Sequence, residues 1–138
     1  NWFLWDHLES NANFFRFYKE LIHLRREHEI FRLGRFMTQN DIEWHGINVF
    51  YPDWDGDLQN LALVLKNNET SFYIAFNTQA EALSFELPPP QFSAHWRLIV
   101  DTSKPGPNDF HPEQEAIPYH GTTIELDGYS AVMLLSKT

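Results

Sequence analysis

The sequence predicts a mainly β chain: an antiparallel β-sandwich preceded by one long α-helix. Three observations carry that expectation. Apolar residues recur at helical spacing over residues 10–29. After a break at Gly34, seven short alternating or apolar runs follow one another, with turn residues and no helical stretch between them. The charge divides at the same place. Residues 1–35 hold six basic and five acidic side chains, whereas residues 36–138 hold four and fourteen. Two parts of different character are therefore joined near residue 35.

In the helical segment, Ser10 or Asn11 can cap the first turn, because a short polar side chain accepts from free amide donors there. Phe14, Phe17, Leu21, Leu24 and His28 form one stripe. Phe15, Tyr18 and Ile22 form a second beside it. Together they make an apolar face wider than a helix on one small sandwich needs. The strands follow as IEWHG (42–46), LALVLK (61–66), SFYIAFN (71–77), ALSFEL (82–87), HWRLIV (95–100), TTIEL (122–126) and SAVMLL (130–135). NNET joins the second and third as a hairpin. The PPP run at 88–90 cannot donate ladder hydrogen bonds and ends the fourth. Residues 104–118 carry four prolines and are expected to form a long loop, and Asp127-Gly128 makes the last turn.

A chain of 138 residues is one domain, or one domain plus a piece of another. Its 43% hydrophobic and 16% aromatic content supports a ring-rich core. The absence of Cys excludes disulfides, thiolate metal sites and a Cys nucleophile. A net charge of −9 repels polyanions, so neither nucleic acid nor an anionic membrane is an expected partner. No run approaches the roughly 18 apolar residues of a membrane span. The opening stretch NWFLWDHLESNANFF has no polar lead-in and reads as internal to something longer.

Candidate chemistry is sparse. DWDGD at 53–57 gathers Asp53, Asp55 and Asp57, but a calcium loop counted from Asp53 would need Gly at position 58 and Glu at position 64, where Leu and Val stand. A solvated acidic turn is the expected reading. Among seven His, His23 and His28 lie about 140° apart round the helix and cannot share an ion. No metal, cofactor or catalytic residue is assigned, since no nucleophile motif or phosphate-binding glycine loop occurs. Three Trp residues could stack on sugar rings. Trp44 and Trp96 alternate as core strand residues would; Trp54, between two acids in a loop, is the expected exposed platform.

NWFLWDHLES, the helix FFRFYKELIHLRREHEIF, IEWHG, FYIAFNT and VDTSKPGP, in that order, resemble the C-terminal end of isoamylase-type glycogen and starch debranching enzymes. Those enzymes are glycoside hydrolases of the α-amylase superfamily. The likeness runs over nearly the whole chain. It implies that residues 1–35 are the last loop and helix of a (β/α)8 catalytic barrel, and 36–138 an α-amylase-type C-terminal β-sandwich. The catalytic carboxylates of such enzymes lie upstream, so the resemblance carries none onto this chain. It places Trp2, Trp5 and Asp6 nearest the barrel's substrate-binding face, as wall or packing residues. It also implies a parent acting on α-glucan (glycogen or amylopectin), cytoplasmic in a bacterium or in the plastid stroma of a plant. The wide aromatic helix face is a ready surface for self-association into a homo-oligomer.

Overall fold

The computed structural model describes residues 4–56 and 59–138. Among these residues two helices come first, α1 (Asp6–Ser10) and α2 (Ala12–Glu27), followed by a 3-10 turn at Glu29–Phe31. The helix expected over 10–29 is thus present as α2, and α1 is an addition upstream of it, joined at Asn11. Asn11 stands at the cap position of α2, but its side chain makes no capping bond, and the Ser10 hydroxyl donates back to the His7 carbonyl. The Asn11 backbone explains this. Its N–H donates to the His7 carbonyl while its own carbonyl accepts from Phe15, both at 2.9 Å. The junction is therefore a kink between joined helices rather than a free end.

Among the described residues eight strands follow: β1 (Ile42–His45), β2 (Asn60–Lys66), β3 (Thr70–Asn77), β4 (Leu83–Glu86), β5 (Trp96–Asp101), β6 (Ile117–Tyr119), β7 (Thr123–Leu126) and β8 (Ser130–Lys137). All seven expected strands are present. β6 is an addition, formed at the end of the Pro-rich segment. Pro118 lacks a ladder donor, and β6 accommodates it by being the outermost strand, paired only with β5. The strands form a six-stranded antiparallel sheet in the order β1-β2-β3-β8-β5-β6 and a two-stranded sheet, β4-β7.

Strand alternation sends side chains to two cores on opposite faces of the large sheet. Ala62, Val64, Tyr73, Ala75, Val132 and Leu134 meet Phe85, Ile124 and Leu126 of the small sheet, with Trp96 beside them. Leu65, Phe72 and Leu135 face the other way, toward Leu24 and Ile30, with Phe17, Leu21 and Phe31 packed against that cluster. The register of β5 on β8 shifts between Leu98 and Val100, and that bulge lets consecutive Ile99 and Val100 both join the helix-side core. The result is a β-sandwich whose outer sheet face carries α2.

The long loop after β5 is stitched down throughout. Asp109 accepts from Arg16 at 2.6 Å, the His111 N–H donates to the Ile99 carbonyl at 2.7 Å, and Phe110 is buried with its ring edge-on to Phe17. Further along, Glu113 pairs with His28 of the helix segment and with Lys137 of β8. The β2–β3 hairpin turns as expected: the Asn67 side chain accepts from the N–H groups of Glu69 and Thr70, both at 2.9 Å.

Candidate functional site

Of the three Trp residues that could stack on sugars, the structure buries one and joins two. Trp96 lies in the inter-sheet core, its indole N–H donating to the Pro88 carbonyl at 2.7 Å. Trp54 is 62% exposed, as expected of a platform. Trp44, expected in the core, is 41% exposed. The correction has a plain cause. Trp44 shares a sheet face with Ile42 and pairs with Leu63, but β1 is the edge strand opposite β6. Ile42, at the other end of β1, packs against the core under the helix; Trp44, two residues on, is outside it. Its indole instead meets that of Trp54, with ring centroids 5.1 Å apart and planes at 71°.

The loop that brings Trp54 back to β1 is held from beneath by His45. That residue is fully buried, its Nδ1 accepts the Phe50 N–H at 2.8 Å, and its ring lies 4.6 Å from the Phe50 ring. Phe50 adopts a left-handed backbone (φ 62°), an unfavourable state for a large side chain that persists only where surrounding contacts impose it. Gly46 is required beside it, since a β-carbon there would sit 2.5 Å from the Tyr51 carbonyl oxygen. Farther on, the Asp53 carboxylate folds over Gly56 into the space a β-carbon would take. Phe50, Tyr51 and Trp54 are all displayed outward from this pinned backbone, with Asp53 and Asp55 flanking Trp54.

Acceptance of the Phe50 N–H requires His45 neutral at Nδ1, with its proton on Nε2. Nε2 faces Glu43 Oε2 at 3.6 Å, beyond hydrogen-bond reach, and Glu43 is engaged by Lys66 at 2.5 Å. Burial pushes the His45 pKa down, against the opposing pull of Glu43. In the unfolded chain an ordinary His titrates near about 6.5, so the unfolded state takes up the proton first as pH falls. His45 therefore contributes stability that is complete above about pH 6.5 and is lost as pH drops through its lower folded-state value. The carboxylates held low, Asp41 and Glu113, act only nearer about pH 4. The expected result is a fall in the urea midpoint between pH 7 and 5.5, reduced in a His45→Gln variant. An unchanged pH slope in that variant would remove His45 as the cause.

Trp5 and Asp6 are exposed at the head of α1, on a different element from the Trp44–Trp54 pair. Trp2 and Asp57 lie outside the described residues. Sequence spacing missed one grouping. Glu27, His28 and Glu113 bring one donor atom each within 4.8 Å of one another. Glu113 already shares its two oxygens between His28 Nε2 and Lys137 Nζ, the latter at 3.2 Å. Burial opposes its ionisation, but these hydrogen bonds outweigh it and hold the carboxyl below the usual range. His28 and Glu113 form a hydrogen-bonded clamp fastening the helix segment to the 110–115 loop. Asp41 is fixed similarly, with Arg35 donating to both its oxygens at 2.6 and 2.9 Å and the Thr38 N–H at 2.8 Å.

The antiparallel sandwich led by a helix is a fold shared with solved structures. A type I pullulanase from Bacillus subtilis superposes with a TM-score of 0.68 over 98% of this chain and 17% of that one, at 17% identity. Residues 43–133 match the family described as "Isoamylase 1-3, C-terminal", and the chain belongs to that family. It is 31% identical over 141 residues to chloroplastic isoamylase 3 of Oryza sativa subsp. japonica, covering 99% of this chain and 17% of that protein. It is 38% identical over 111 residues to chloroplastic isoamylase 1 of Arabidopsis thaliana, covering 79% and 14%. An isoamylase of Pseudomonas amyloderamosa is 27% identical over 150 residues, covering 99% and 19%. The chain thus spans less than a fifth of the length of these plant and bacterial relatives.

Proposed function

We propose that the chain is the C-terminal part of an enzyme that hydrolyses α-1,6 branch points of glycogen or starch, and that it is itself non-catalytic. Residues 1–35 are the last loop and helix of the barrel and 36–138 the sandwich that closes it off. The parent reaction proceeds with retention, through a covalent glucosyl-enzyme formed on carboxylates outside this chain. A bacterial parent works in the cytoplasm and a plant parent in the plastid stroma. Trp5 and Asp6 lie nearest the barrel's substrate face.

The observation that carries this reading is the two-sided helix. Phe17, Leu21 and Leu24 of α2 face the sheet, while Phe14 (65%) and Phe15 (53%) are exposed with Tyr18 and Ile22. Phe14 and Tyr18 pack ring on ring 4.7 Å apart with no β layer over them. Monomeric proteins rarely leave so contiguous an apolar strip uncovered. A barrel wall is the cover that family membership supports, and a second copy of the chain is the competing cover.

Two measurements test it. The chain alone, incubated with glycogen, is expected to release no reducing ends, and clear turnover would break the reading. Tyr18→Glu is expected to leave the chain's own stability within about 0.5 kcal/mol, as a surface change does. In the full-length parent the same change lowers the melting temperature by several degrees, because it places a charge in a buried contact. Equal, negligible effects in both contexts would mean that the barrel does not cover this flank.

A further inference from the structure

We propose that the Trp44–Trp54 pair is an α-glucan contact that holds the polysaccharide by ring stacking. The proposal rests on the α-glucan reading above and adds a site to it. The geometry and charge of the pair favour a neutral sugar over a protein surface. Both indoles are open to solvent, and their planes meet at 71°, so a pyranose seated on one face has the other ring as a side wall. The rings stand on backbone that is fixed before any ligand arrives. Trp44 is on a paired strand, and the loop carrying Trp54 is pinned by the His45 bond to Phe50 and closed by Asp53 over Gly56. Pre-set platforms lose little side-chain freedom on binding, which weak carbohydrate contacts require.

The rim is acidic. Asp53 and Asp55 flank Trp54 and are both exposed, while the segment after residue 35 carries a large acidic excess. Carboxylates accept hydrogen bonds from sugar hydroxyls, which are donors, and repel phosphate, sulfate and nucleic acid. A docked protein surface would have to strip water from these acids, at a cost that grows with burial. The helix carrying the exposed flank has Lys19, Arg25 and Arg26 on it beside Glu20 and Glu27. The two surfaces thus differ in charge chemistry: the helix flank suits a protein wall, and the Trp44–Trp54 corner suits an uncharged polyol.

The test is native affinity electrophoresis of the 138-residue chain in gels with and without glycogen, beside Trp44→Ala and Trp54→Ala. Gels containing heparin or a β-linked glucan run in parallel. Glycogen is expected to retard the wild-type chain, and each substitution to weaken the apparent affinity about fivefold to tenfold, the loss of one stacking surface. Melting curves of the two variants are expected to match the wild type, since neither ring is buried, whereas Trp96→Ala should unfold the chain. Absence of retardation by glycogen overturns the proposal. So does retardation that both variants retain, or retention on heparin or the β-glucan alone. These outcomes are separable from failure of the debranching reading. A chain that ignores glycogen yet stabilises its barrel refutes the Trp site only, and a chain that hydrolyses glycogen unaided refutes the parent reading only.

Discussion

Phe72→Ala is expected to lower the unfolding free energy by about 3–5 kcal/mol, the range for a fully buried ring replaced by a methyl group. Phe72 is inaccessible to solvent and stands in β3 between Leu65 of β2 and Leu135 of β8. Its ring meets His28 edge-on at 4.9 Å and Phe31 at 4.7 Å. It is therefore the point where the end of the helix segment sits on the sheet. The surrounding strands are locked in a continuous ladder and cannot collapse into the gap, so a cavity term adds to the lost transfer energy. A domain of this size has about 5–15 kcal/mol in total, which makes this a fifth or more of the whole. Urea unfolding read by far-UV circular dichroism measures it, with Phe14→Ala as the contrast: an exposed ring on α2, expected to change stability by less than about 1 kcal/mol. Equal losses for the two would mean that the helix is not seated on Phe72.

That contrast marks what the sequence makes legible. The strands of the sandwich declare themselves because alternation records which side chains share a face, and the sheet keeps that record at every position from Leu61 to Lys66 and from Ser71 to Asn77. Alternation says nothing about whether a face is covered. Trp44 has the periodicity of a core residue and stands on the apolar face of β1, yet the cover ends before it. The pinned loop under Trp54 was illegible for a related reason. His45, Phe50 and Gly46 look ordinary in sequence, and only the fold shows a buried imidazole accepting from a left-handed residue five positions on. The His28–Glu113 clamp joins residues 85 apart and has no local signature at all. The Pro-rich loop hid β6, because a proline argues against a strand unless the strand is known to be an edge.

The second large effect belongs to Asn77, the polar residue that closes the FYIAFNT strand. It is 1% exposed. Its amide nitrogen lies 2.8 Å from the Glu81 carbonyl, 3.1 Å from that of Asp127 and 3.3 Å from that of Leu126, and its side-chain oxygen accepts the Gln79 N–H at 3.0 Å. One side chain thus ties the turn after β3 to the turn between β7 and β8, where the Tyr129 N–H also donates to the Gln79 carbonyl at 2.9 Å. Asn77→Ala is expected to cost about 2–4 kcal/mol, because it leaves buried carbonyls and an amide donor without partners as well as a small void. Asn77→Asp separates hydrogen bonding from packing. Asp has nearly the same shape, so if volume were what mattered, it would be close to neutral and Ala much worse. At pH 7, however, a carboxylate would face three carbonyl oxygens with no proton to offer and would be buried without a cation. The expected order of stability is therefore Asn, then Ala, then Asp. Urea midpoints for the three chains decide between the accounts, and an Asp variant more stable than Ala would show that the amide donor is not what holds the two turns together.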